Sequence, residues 1–155
     1  MNVRFAADQE LSSVNELRKQ VNDLHVAGKP SVFKGGFPPE LQDYIFAIQK
    51  DPDKEIVVAE CDGVICGFAV LHRVCRPETP YMSERVYLDI DEFGVDESYR
   101  RQGVATGMIT FIKEYAKKQG FHRIELNMWE FNQDALAFYE AAGFVTYRRY
   151  MEMLL

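Results

Sequence analysis

Apolar and polar positions along this chain follow two different periods, and the change from one to the other marks out its elements. Val3 and Phe5 open the sequence in a short strand-like pattern. Leu11, Val14, Leu17, Val21 and Leu24 then recur at the spacing of one helix face, which predicts a helix over about residues 8–26, ended by Gly28 and Pro30. Residues 31–39 contain Gly35-Gly36 and Pro38-Pro39 and read as a loop, after which Leu41, Tyr44, Ile45 and Ile48 describe a second, shorter helix. Past the turn Asp51-Pro52-Asp53, residues 56–60 and 64–74 are rich in β-branched side chains. They flank Asp62-Gly63, a pair that tolerates the positive φ angles of a tight hairpin, so two antiparallel strands are expected.

Residues 76–80 form a connection, and aliphatic and acidic residues alternate over a strand at 85–95. By that alternation Asp89 and Asp91 share a face with Phe93 and Val95, and Glu92 points to the other. A helix over about 103–119 shows Val104, Met108, Phe111, Ile112 and Tyr115 on one face, with Gly120 as its left-handed cap. A strand at 123–128, a helix at 133–142 capped by Asn132, and a last strand at 144–153 complete the pattern. The helix between Val95 and Arg123 requires a crossover, hence a locally parallel strand pair and an α/β sheet with helices on its faces. Ligands of such sheets favour the crevice beyond the carboxyl ends of the crossover strands, which directs attention to the residues after Val95.

Composition narrows the partners. The chain has 155 residues, the length of one ordinary domain, and neither repeats nor linkers divide it, so a single domain over 1–155 is expected. Its formal net charge of -6 opposes binding to a phosphate backbone, so no nucleic acid partner is expected. The apolar runs are too short to span a bilayer, and the N-terminus lacks the features of a secretory signal, which together predict a cytoplasmic protein without a membrane partner. Cys61, Cys66 and Cys75 lack paired metal-ligand spacing and read as reduced, mostly buried thiols, so no metal is expected.

The segment after Val95 carries chemistry. Arg100-Arg101-Gln102-Gly103-Val104-Ala105-Thr106 leads into a helix whose first turn offers unpaired N–H groups and a positive dipole end. Gly103 and Ala105 lack side chains that would stop a pyrophosphate from reaching those groups, and Arg100 and Arg101 add cationic donors. An ordinary helix start with two solvated arginines is the alternative. The chain has no Walker-type or dinucleotide glycine motif.

Here the sequence resembles the GNAT superfamily of N-acetyltransferases, whose acetyl-CoA loop, [QR]-x-x-G-x-[GA], is matched by residues 100–105. A second signature, N-x-x-A-x-x-F-Y-x-x-x-G-F, is matched from Asn132 to Phe144, in the right order and on the predicted helix. The resemblance is firm from about Arg85 onward and looser before it. It implies an α/β fold with a mixed, mostly antiparallel twisted sheet between helices, and an enzyme that moves acetyl from acetyl-CoA, as co-substrate, directly to a primary amine of a small molecule or peptide. It further implies that Phe93, Gly94 and Val95 hold the pantetheine arm through their backbone and that the N–H groups from Gln102 to Thr106 hold the pyrophosphate. Contacts from Asn132, Ala135, Phe138 and Tyr139 complete the coenzyme site. Gly94 in a strand fits a close approach by a ligand, or simply packing.

The resemblance also implies Tyr139 as the acid that protonates the leaving thiolate, although by pattern it reads as a core aromatic too. The attacking amine must lose a proton, and Glu92 and Asp91, on the strand that meets the thioester, are the candidate bases, with solvated strand charges as the plain alternative. The first two helices bound the acceptor by the same analogy, with His25, Phe33 and Trp129 as candidate contacts, while His25 also reads as a satisfied, half-buried histidine. A non-catalytic coenzyme A sensor would need no Tyr139. The amine is not readable from the sequence, and a homodimer is compatible with it.

Overall fold

Five strands and four α-helices form, in the order predicted as far as residue 141. The structure is a computed structural model that describes residues 1–155. Its elements are β1 (Asn2–Phe5), α1 (Leu11–Gly28), α2 (Pro39–Lys50), β2 (Lys54–Cys61), β3 (Val64–Arg76), β4 (Arg85–Val95), α3 (Val104–Lys118), β5 (Ile124–Leu126) and α4 (Gln133–Ala141). A single 3-10 turn, Asp8–Glu10, takes the place of the first predicted turn of α1. The strands lie in the order β1-β2-β3-β4-β5, antiparallel except for the parallel pair β4 and β5, which α3 connects. The sheet is thus mixed and mostly antiparallel, with helices on both faces. No helix is long and apolar enough to cross a membrane.

Alternation along the strands sorts the core into two halves. Ile56, Val58, Phe68 and Val70 pack with Leu11, Val14 and Leu17 of α1 and Ile45 and Ile48 of α2. Val57, Ala59, Ala69, Leu71, Leu88 and Ile90 pack on the other face with Val104, Met108, Ile109 and Ile112 of α3. Each Val, Leu, Ile, Phe or Met side chain among these contributes about 1.5–3 kcal/mol when fully buried. Near-continuous burial over β2 and β3 follows, because both of their faces are covered.

Two expectations are corrected. Residues 144–153 do not form a strand: beyond the Phe144 N–H this segment makes no backbone hydrogen bond, and Val145, Tyr150, Met151 and Met153 are exposed. Alternation alone does not make a strand; a neighbouring edge must accept the ladder, and here only side chains hold the segment, through Tyr147 on Glu125 and Glu152 on Lys29. The thiols also differ from expectation, since Cys66 is buried and Cys61 half-buried but Cys75 is exposed.

Candidate active site

β4 runs on past its parallel neighbour. Its last partner on β5 is Ile90, opposite Leu126, so residues 91–95 have β3 on one side and no strand on the other. The sheet therefore opens into a cleft along Phe93, Gly94 and Val95. Within β4 the register slips: Val70 pairs with Glu92 and Leu71 with Ile90, leaving Asp91 as the extra residue of a bulge.

That bulge overturns the predicted facing of the acidic residues. Ile90 and Phe93 both pack on the α3 side, so the two residues between them, Asp91 and Glu92, both turn toward α1 and α2. Asp89, opposite His72, shares their face and not that of Phe93. Glu92 accepts from Arg18 Nε at 2.8 Å and from Nη2 at 3.1 Å, and Asp91 lies 3.4 Å from Lys54 Nζ. Asp89, half-buried, has no hydrogen bond or ion pair. Burial, with Asp91 nearby, pushes its carboxyl up to about 6. Its singular status was missed in the sequence, where it looks like any other acidic strand residue.

The loop after β4 is a chain of exceptional backbone angles. Arg101 has φ 61° and Gly103 φ 84°, both left-handed. Gly103 is the N-cap of α3, and the first bond of the helix runs from the Gly107 N–H to the Gly103 carbonyl at 2.9 Å. The N–H groups of Gln102, Gly103, Val104, Ala105 and Thr106 consequently have no acceptor in the chain. A side chain at Gly103 would meet nothing within 4 Å, so the start of the helix is open at this residue. Arg100 Nε donates to the Val95 carbonyl at 3.2 Å and Gln102 Nε2 to the Ser98 carbonyl at 2.8 Å, while Val104 anchors the helix in the core.

Across the cleft stands α4. Asn132 caps it as predicted, its Oδ1 accepting from the Ala135 N–H at 3.2 Å. At its other end Gly143, φ 93°, lets the Phe144 N–H reach the Tyr139 carbonyl at 2.9 Å. The helix thereby presents Phe138 and Tyr139 to β4: their rings lie 6.2 and 6.1 Å from that of Phe93, and Phe144 packs at 5.7 Å on Tyr139. The Tyr139 hydroxyl has no hydrogen-bond partner, and burial raises its pKa to about 12, so it remains protonated at neutral pH.

The three acceptor candidates meet in one cluster on the α1 side. His25 stacks on Phe33 at 4.9 Å, and Phe33 meets the edge of Trp129 at 5.0 Å. Phe131 closes the group against His25 and Trp129, and it lies where a Cβ on Gly28 would be, 2.1 Å away. Burial lowers the pKa of His25, which favours its neutral form.

Comparison with known proteins shows the family. The acetyltransferase (GNAT) family matches residues 18–144. The chain belongs to that family. Within it, an uncharacterized N-acetyltransferase of Methanocaldococcus jannaschii is 36% identical over 101 residues, 65% of this chain and 43% of that protein. An L-ornithine N5-acetyltransferase of Arabidopsis thaliana is 29% identical over 96 residues, 61% of this chain and 40% of the other. The chain thus spans less than half the length of these curated relatives. A solved structure, the tetramutant of the BH1408 protein of Bacillus halodurans, superposes with a TM-score of 0.95 at 28% identity, covering 100% of both chains. The GNAT match begins at Arg18, which grips Glu92, and ends at Phe144, which packs on Tyr139. It therefore contains both sides of the cleft and leaves out β1 and the extended C-terminal segment.

Proposed function

We propose that this chain transfers the acetyl group of acetyl-CoA directly to a primary amine within a ternary complex. The observation that carries the reading is the run of unpaired N–H groups from Gln102 to Thr106, which opens toward free space at Gly103 beside the unpartnered edge of β4. Such donors at a helix start suit a pyrophosphate, and Arg100 and Arg101 add charge. The backbone of Phe93, Gly94 and Val95 then suits the pantetheine arm, with Asn132, Ala135, Phe138 and Tyr139 on the opposite wall.

The chemistry follows from what each group can do. The amine nitrogen attacks the thioester carbonyl carbon, a C–N bond forms, and the C–S bond breaks. Tyr139 gives its phenolic proton to the departing sulfur, a role that suits a hydroxyl kept protonated by burial. The proton of the incoming ammonium goes to a carboxylate, directly or through water. Glu92 and Asp91 are bound to Arg18 and Lys54, so Asp89, free and raised to about 6, is the better proton acceptor, and the other two shape the site around it. His25, Phe33 and Trp129 supply an aromatic wall for the acceptor. With the Glu92 carboxylate near His25, that wall suits a cationic small molecule or peptide amine. A homodimer would give the exposed residues 145–155 a partner.

Release of free coenzyme A thiol from acetyl-CoA, measured across a panel of amines with coenzyme binding followed by thermal shift, tests the reading. Stabilisation by coenzyme together with amine-dependent thiol release is expected. No stabilisation at all would refute it.

A further inference from the structure

We propose that Cys61 and Cys66 form a dithiol oxidation site that closes to an intramolecular disulfide when the protein meets hydrogen peroxide. Neither residue takes part in the acetyl transfer described above. Cys61 ends β2 and pairs with Val64 across the Asp62-Gly63 turn, whose φ angles are 51° and 80°. Two residues further on, the β2–β3 ladder slips: Glu60 pairs with Ile65 and Ala59 with Gly67, which leaves Cys66 as the extra residue of a second bulge. Cys66 is crowded toward the turn on the α3 face, the face on which Cys61 also packs, and the two Sγ atoms come to 3.2 Å.

A disulfide needs about 2.05 Å between sulfurs, so a closing movement of roughly 1 Å suffices. The loop closed is short, and its two ends already meet in a hairpin. Burial differs between the partners in a way that orders the chemistry. Cys66 is fully buried, and its thiol is pushed up to about 12, so it stays protonated; Cys61 is half-buried and is the sulfur an oxidant reaches. The Cys61 thiolate attacks one peroxide oxygen, the O–O bond breaks, and Cys61 becomes a sulfenic acid with loss of hydroxide. The Cys66 sulfur then attacks the Cys61 sulfur, an S–S bond forms, the S–O bond breaks, and water leaves with the Cys66 proton. Overall, two thiols lose two electrons and two protons, and one peroxide is reduced to two waters. The contact between the two sulfurs favours this closure over further oxidation of Cys61, the Cys66 proton passing to the departing oxygen as its sulfur attacks. The site adjoins the coenzyme loop, because the Cys66 carbonyl accepts the N–H of Asp96 at 2.9 Å, the residue that follows β4.

The test uses the full chain carrying Cys75→Ser, which removes the exposed competing thiol. After exposure to hydrogen peroxide, free thiols are blocked with N-ethylmaleimide under denaturing conditions, and unreduced tryptic peptides are weighed. The peptide holding both cysteines should be lighter by two hydrogens, carry no maleimide, and take up two maleimides after treatment with dithiothreitol. In Cys61→Ser, Cys66 should remain a free thiol after the same exposure. Maleimide on both cysteines of the peroxide-treated protein, or sulfinic acid at Cys61 beside an alkylated Cys66, would overturn the proposal.

Discussion

The guanidinium of Arg18, in the middle of α1, donates to both carboxylate oxygens of Glu92 on β4, at 2.8 and 3.1 Å. Arg18 is 6% exposed and also donates to the Asn15 side chain and the Leu41 carbonyl, with the rings of Phe37 and Tyr44 within 6 Å. One side chain thus joins α1, the start of α2 and the bulged strand.

Removing Arg18 should therefore unfasten the acceptor side of the protein. A buried pair broken from one end leaves an uncompensated charge, but Glu92 keeps 25% of its side chain in solvent. Arg18→Met should lower stability by about 2–3 kcal/mol, below the full range for a wholly buried pair. Urea unfolding reads this directly, and Glu92→Gln, which keeps an acceptor for the guanidinium, should cost less.

Tyr139→Phe removes one hydroxyl and little packing, since the ring contacts with Phe93, Phe138 and Phe144 remain. Turnover should fall by about 10²–10⁴, as for loss of a positioned proton donor, with the coenzyme-induced thermal shift retained. Turnover equal to that of the unmodified chain would remove Tyr139 as the acid. Because its pKa is raised to about 12, any alkaline limb in the rate below pH 10 must come from another group.

Asp89 gives the acid side of the pH profile. As a base it must be ionised, so kcat/KM should fall as pH drops through about 6, and Asp89→Asn should lose that limb along with most of the activity. The stability effect has the opposite sense to that of an ion-paired carboxylate. The folded protein holds this proton more tightly than the unfolded chain, whose value is near 3.8, so the group's contribution to stability falls as pH rises from about 4 to 6. Asp89→Asn should accordingly be more stable than the parent protein at pH 7, which a pair of thermal melts at pH 4 and 7 can check.

Much of this was legible in the chain because local signals and fold agreed. β4 begins and ends where its alternation does, Asn132 caps α4, and both signatures fall on the elements assigned to them. The facing of the carboxylates was not legible by simple alternation, because a bulge depends on the register with β3. Its trace is the acidic doublet Asp91-Glu92, which breaks the rhythm of Leu88, Ile90 and Phe93 and could have been read as a slip. The last strand misled for the converse reason: residues 144–153 have the pattern of a strand but make no ladder with the free edge of β5, which only the Tyr147 side chain reaches. The cluster of His25, Phe33 and Trp129 joins three distant segments, which no local pattern reports.

Two glycines in this region separate packing from ligand binding. The sequence leaves Gly94 as a close approach by a ligand or as a packing position, and a Cβ there would lie 2.7 Å from both Phe68 and Val21, inside the α1-side core. Its first requirement is packing, so Gly94→Ala should cost about 1–3 kcal/mol through overpacking, while the coenzyme-induced thermal shift is largely kept. Gly103 is the reverse case. A Cβ there meets nothing within 4 Å, and the only intramolecular cost is the left-handed backbone, about 1–2 kcal/mol. Gly103→Val should thus remain folded but project its side chain into the space before the free N–H groups and abolish the coenzyme shift. Urea melts with and without coenzyme A on both variants decide the matter, because equal losses of affinity in the two, or intact affinity in Gly103→Val, would contradict the assignment of the pyrophosphate to the start of α3.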